Sequence, residues 1–129
     1  DNNVMIDFSS QYFTEEEVNS RLNSVISLLT NIRDFEVLKI ILFGSFAKNK
    51  NRPRTSTMDI LVIVKNCDLD FIDRMVYIRD LTKGGFPIIE PVVYTEEEFK
   101  VMIEDEGEGF LESAIEEGIV LWEKNSEIN

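Results

Sequence analysis

Residues 37–64 read VLKIILF-GSFAK-NKNRPRTST-MDILVIV, and the rest of the chain is easiest to understand from this stretch outward. Val37 to Phe43 is a dense run of β-branched and apolar residues broken only by Lys39, the pattern of a buried strand. Gly44-Ser45 ends it. Phe46-Ala47 can begin a short helix, and Asn49 to Ser56 is a polar loop with Pro53. Met58 to Val64 is a second apolar strand carrying one acid, Asp59.

Upstream, Thr14-Glu15-Glu16-Glu17 spells a capping box, in which Thr14 and Glu17 each satisfy the other's free N–H. A helix follows to about Asn31, with Val18, Leu22, Val25, Ile26 and Leu29 on one face. Val4, Ile6 and Phe8 alternate and predict a short edge strand. Downstream, Asp68 or Asp70 caps a helix running to about Lys83, with Phe71, Met75, Ile78 and Leu81 as its stripe, and Gly84-Gly85 stops it. Pro87 to Tyr94 is a third strand, again with one acid, Glu90. Thr95 to Glu98 is a second capping box. It opens a helix with Phe99, Met102 and Ile103 inward, broken at Gly107 and Gly109. Phe110, Leu111, Ala114 and Ile115 mark a last helix, Gly118 ends it, and Ile119 to Trp122 is a final strand. The order predicts one α/β domain over residues 1–129, with a mixed sheet of about four to five strands flanked by helices.

Composition narrows the function. Of 129 residues, 13 are basic and 25 acidic, a net charge of −12, which suits neither phosphate contacts along a nucleic acid nor an anionic membrane surface. No apolar run reaches the ~20 residues of a membrane helix, and Asp1 to Ser10 lack the pattern of a signal peptide. With Cys67 as the single cysteine, a reducing cytoplasm is the expected setting. The absence of histidine excludes His-based triads and His-ligated zinc. A metal site would need oxygen ligands, which suits magnesium or manganese. The charge is also uneven. Residues 46–56 hold Lys48, Lys50, Arg52 and Arg54 and no acid, whereas residues 95–129 hold twelve acids against Lys100 and Lys124. A basic run is usually a solvated loop. Beside a Gly-Ser turn, it also reads as an anion site.

A carboxylate inside an apolar strand is costly unless it is paired or holds a cation. Strand alternation puts Thr57, Asp59, Leu61 and Ile63 on one face, and Glu90 poses the same problem in Pro-Ile-Ile-Glu-Pro-Val-Val. If the two strands are neighbours, both carboxylates converge on one cation. The pattern alone favours the plainer reading, in which both sit near strand ends and meet water, Lys65 or a basic loop residue.

The ordered set of strand, Gly44-Ser45, basic loop, Asp59 strand and Glu90 strand resembles the minimal nucleotidyltransferases of the DNA polymerase beta superfamily. Their signature is Gly-Ser, about ten residues, Asp-x-Asp on a strand and a third carboxylate on a later strand. The resemblance covers about residues 12 to 123, including the Glu-Glu-Gly-Ile-Val-Leu-Trp-Glu ending. It implies the nucleotidyltransferase fold, a nucleoside triphosphate (ATP the expected one) and magnesium or manganese. Two metal ions would hold the attacking and leaving oxygens in line while an acceptor hydroxyl of a protein or small molecule displaces pyrophosphate. Carried over, Gly44 and Ser45 grip phosphate, with Lys48, Arg52 and Arg54 as further cofactor-binding candidates. Asp59 and Glu90 are the catalytic, metal-binding carboxylates. The first carboxylate of Asp-x-Asp falls on Thr57, a neutral and weaker ligand. The loop from Ser45 to Thr57 has eleven residues, one more than usual, and the third acid is Glu where Asp is common. These departures carry the alternative, a catalytically degenerate, antitoxin-like module acting by protein contact. Small members of the family resemble the antitoxin half of two-gene systems, which implies an all-helical HEPN-type partner. Oligomeric state is left open.

Overall fold

A computed structural model describes residues 10–106 and 109–124. The elements run α1 (Glu15–Thr30), β1 (Val37–Phe43), α2 (Ser45–Lys48), β2 (Met58–Val64), α3 (Phe71–Thr82), β3 (Ile89–Thr95), α4 (Glu96–Glu106), α5 (Phe110–Glu117) and β4 (Ile119–Glu123). The alternating segment at Val4 to Phe8 and the break at Gly107 lie outside the described residues.

Local chemistry sets these boundaries. Thr14 Oγ1 accepts from the Glu17 N–H at 3.0 Å, and Glu17 Oε1 accepts from the Thr14 N–H at 2.9 Å, closing the box that starts α1. Of the two candidate caps for α3, Asp70 is the one used, accepting from the Asp73 N–H at 2.9 Å. Thr95 and Glu98 make the same reciprocal pair at the head of α4. Of the stripe expected on α3, Ile78 is buried, but Phe71 is partly exposed and packs on Tyr94 with ring centroids 5.4 Å apart. The third strand starts at Ile89, two residues later than its apolar run suggests.

The four strands are ordered β3-β2-β1-β4. β1 lies antiparallel to both β2 and β4, while β2 and β3 are parallel, so the sheet is mixed. Helices cover both faces. Val18, Val25 and Leu29 of α1 and Ile78 of α3 pack with Ile40, Leu42, Ile60 and Val62 on one side. Leu111 and Ala114 of α5, with Phe99, Met102 and Ile103 of α4, pack with Ile41 and Leu61 on the other. Strand alternation is what separates these two sets. Each central strand is buried on both faces, which is why β1 and β2 read as nearly continuous apolar runs. Lys39, the exception in β1, lies opposite Glu123 of β4 and pairs with it at 3.7 Å. The topology brings the end of β1 and the starts of β2 and β3 to the same edge of the molecule.

Candidate nucleotide and metal site

At that edge, three sequence candidates meet. Asp59 is in register with Phe43 of β1 on one side and with Glu90 of β3 on the other. In a parallel pair, residues in register project to the same face. Asp59 and Glu90 therefore both face the α4–α5 side, at the open end of the sheet. The Asp59 carboxyl sits above the usual carboxylate range, pushed up first by burial and then by the negative charge of Glu90. Two acids held this way form a pair that a cation would relieve.

Gly44 completes the corner. Its backbone adopts φ 75°, ψ −153°, a conformation essentially restricted to glycine. A Cβ there would lie 3.3 Å from Asp59 Cγ and would overlap Oδ2. The Asp59 carboxylate is thus packed directly against the backbone of the Gly-Ser turn. Ser45 is exposed and opens α2. The first N–H groups of that turn have no acceptor within the helix and can meet an anion. The Ala47 and Lys48 N–H groups already bond to the Gly44 carbonyl. Thr57 precedes β2 by one residue and is half-buried.

The basic loop behaves differently from an open anion site. Arg52 donates to the carbonyls of Asn49 (3.0 Å) and Phe46 (2.8 Å), and stacks over the Phe46 ring. Arg54 donates to the Ser10 carbonyl at 2.7 Å, pairs with the buried Glu17 at 3.2 Å and lies over Phe13. Both guanidinium groups tie the 49–54 loop to itself and to the head of α1. A phosphate contact from either would have to compete with these bonds. Lys48 pairs with Glu117 of α5 at 2.9 Å, and both side chains are more than half exposed, so this tether is weak.

Two residues that the sequence reading passed over also matter. Arg79 of α3 reaches around the edge strand to Glu90, 3.6 Å away. Arg21 is buried and donates to the carbonyls of Thr82 (2.8 Å) and Pro87 (2.9 Å), bracing the turn that leads into β3. Arg21 lies three residues after Val18 and four before Val25, on the inward face of α1, so its spacing was a usable signal. Nothing in the pattern of α3 marks Arg79.

The donor set tests what this corner can hold. Among the described residues, no three His, Cys, Asp or Glu side chains are grouped to bind a metal ion. Asp59 and Glu90 supply hard oxygen donors, the ligand type that a divalent ion such as magnesium takes. Thr57, two residues before Asp59, offers a neutral oxygen, a weaker ligand than a carboxylate. A groove of about 580 Å³ between α3 and α4, lined by Phe71, Tyr94, Val101 and Met102 among others, includes neither acid. No helix among the described residues is long and apolar enough to cross a membrane.

A mixed sheet flanked by helices, with a Gly-Ser turn abutting the carboxylate strand, is the arrangement that the resemblance to the nucleotidyltransferases led us to expect. Solved structures share the fold. A candidate nucleotidyltransferase from Sulfolobus solfataricus aligns with a TM-score of 0.54 at 16% identity, covering 88% of this chain and 92% of the other. A toxin–antitoxin structure with AMP-PNP aligns with a TM-score of 0.54 at 21% identity, covering 82% of this chain and 76% of the other. No protein of curated function matches the sequence. The family described as Polymerase beta, Nucleotidyltransferase matches residues 23–127, and the chain belongs to that family.

Proposed function

We propose that the corner formed by Gly44, Ser45, Asp59 and Glu90 binds a nucleoside triphosphate, ATP the expected one, together with one magnesium or manganese ion. In this reading an acceptor hydroxyl of a protein or small molecule attacks the α-phosphate, the bond to the β-phosphate breaks, AMP is transferred, and pyrophosphate and the hydroxyl proton leave to solvent. The observation that carries it is the register pairing of Asp59 with Glu90, beside a turn whose glycine leaves room only for the Asp59 carboxylate. The Gly44–Ser45 backbone and the Ser45 hydroxyl would cradle phosphate. Asp59 and Glu90 would hold the ion, with Thr57 as a weak neutral ligand. A bound divalent ion supplies charge neutralisation to a transferring phosphoryl group. The similarity to a toxin–antitoxin structure with AMP-PNP supports both a nucleotide and a protein partner, for which an all-helical HEPN-type protein is our candidate.

A second reading has its own observation. The absence of a three-acid group among the described residues favours a degenerate module that keeps the fold and acts by protein contact. Calorimetric titration of manganese and then ATP into the native protein and Thr57→Asp separates the two. The first reading expects Thr57→Asp to bind manganese about tenfold or more tightly, because a third carboxylate raises ligand charge. No binding by either folded form leaves only the contact module.

A further inference from the structure

Next to Glu90 lies a second feature that the nucleotide corner does not use. A cavity of about 230 Å³ opens where α3 turns into β3, lined by Arg21, Arg79, Lys83, Gly85, Phe86 and Ile88 among others, with no acid in the lining. In a chain of net charge −12, this is a local concentration of cations. The cavity is also built rather than incidental. A Cβ at Gly85 would lie 2.7 Å from Arg21 Cζ, so the glycine is what lets that buried guanidinium come up beneath the turn. Arg21 Nε and Nη2 are held by the Pro87 and Thr82 carbonyls, which fixes the orientation of the fork. The guanidinium held in this way belongs to a residue that lines the cavity. Phe86 and Ile88 are about half exposed at its rim. Arg79 stands between the cavity and the nucleotide corner, with its guanidinium 3.6 Å from Glu90 and half in solvent. Lys83 pairs with the exposed Asp80 at 2.9 Å.

We propose that Arg21, Arg79 and Lys83 form an oxyanion pocket in which a phosphate or carboxylate group of the acceptor substrate docks beside Glu90. The pocket itself stands on the lining just described. Calling its ligand the acceptor rests on the nucleotidyl-transfer reading above. Planar guanidinium forks suit either oxyanion. Arg79 couples the two sites, because a cation that takes up the Glu90 charge frees the guanidinium for the pocket, and the coupling is reciprocal.

Inorganic phosphate and acetate are titrated separately into the metal-free protein, following the backbone amides by ¹⁵N NMR. The expected result is saturable shifts at Gly84, Gly85, Phe86 and Ile88. Arg79→Gln should weaken binding about tenfold, the scale of one lost charge-assisted hydrogen bond. Glu90→Gln, which mimics a neutralised carboxylate without any metal, should tighten it severalfold. Tighter binding of phosphate points to a phosphorylated acceptor, and tighter binding of acetate to a carboxylate-bearing one. Saturable shifts confined to the Gly44–Ser45 turn, or affinity unchanged in a folded Arg79→Gln protein, overturn the proposal. Neither result touches manganese binding at Asp59 and Glu90, so the two readings fail separately.

Discussion

Replacing Gly44 with alanine tests the close approach on which the nucleotide corner is built. Two costs add. Alanine must adopt φ 75°, ψ −153°, which costs about 1–3 kcal/mol for a side chain in a region reserved for glycine. Its Cβ also displaces the Asp59 carboxylate, whose Cγ would lie 3.3 Å away, and forcing that side chain off its rotamer costs about 0.5–1.5 kcal/mol. The sum is about 2–4 kcal/mol. For a chain of this length, that corresponds to a melting temperature lower by roughly 8–16 °C. Urea denaturation of native protein, Gly44→Ala, Asp59→Ala and the double variant resolves the parts. The steric share should vanish in the Asp59→Ala background, leaving a coupling of about 0.5–1.5 kcal/mol between the two positions. A Gly44→Ala cost below about 1 kcal/mol, or one that is the same in both backgrounds, refutes the contact.

Asp59→Asn should stabilise the protein above the usual carboxylate range, since it removes a carboxylate that burial and Glu90 disfavour. The folded state binds the Asp59 proton more tightly than the unfolded chain, so stability should fall as pH rises through the raised Asp59 value. Denaturation at a series of pH values should show that fall in the native protein and less of it in Asp59→Asn. Glu98 has the opposite sign. Arg74, bonded to it at 2.7 Å, holds its carboxyl low, so its contribution is present above the ordinary carboxylate range and lost as pH falls through the lowered value. Glu98→Ala also removes the cap of α4 and should cost about 2–3 kcal/mol by chemical denaturation. Arg54→Ala removes the ion-pair partner of the buried Glu17, which keeps its bond from the Thr14 N–H, and should cost about 2–4 kcal/mol, with manganese affinity unchanged by calorimetry.

The sequence makes the elements of this fold legible wherever local chemistry bounds them. The extents of β1 and β2 follow from β-branched runs cut by Gly44 and by the polar loop, and α1 and α4 follow from their capping boxes. The meeting of Asp59 with Glu90 was not legible from pattern. Each acid looks like an isolated cost in its own strand, and only the β2–β3 register makes them neighbours. The resemblance to a known family supplied that expectation. The bonds made by the loop arginines were not legible for a related reason. Loop composition reports charge but not direction, and the acceptors that claim Arg52 and Arg54 lie in backbone carbonyls and in Glu17, 37 residues from Arg54. Arg79 was invisible because a cation on the solvent side of a helix has the same pattern whether or not it bends around an edge strand.

Paramagnetic broadening by manganese in the amide NMR spectrum reads out directly where a divalent ion binds. Substoichiometric manganese should broaden Gly44, Ser45, Asp59 and Glu90 first, and Asp59→Asn should abolish this selectivity. Broadening that begins instead among the glutamates of α4 and α5, with the Gly44–Ser45 and Asp59 signals still sharp, would contradict it.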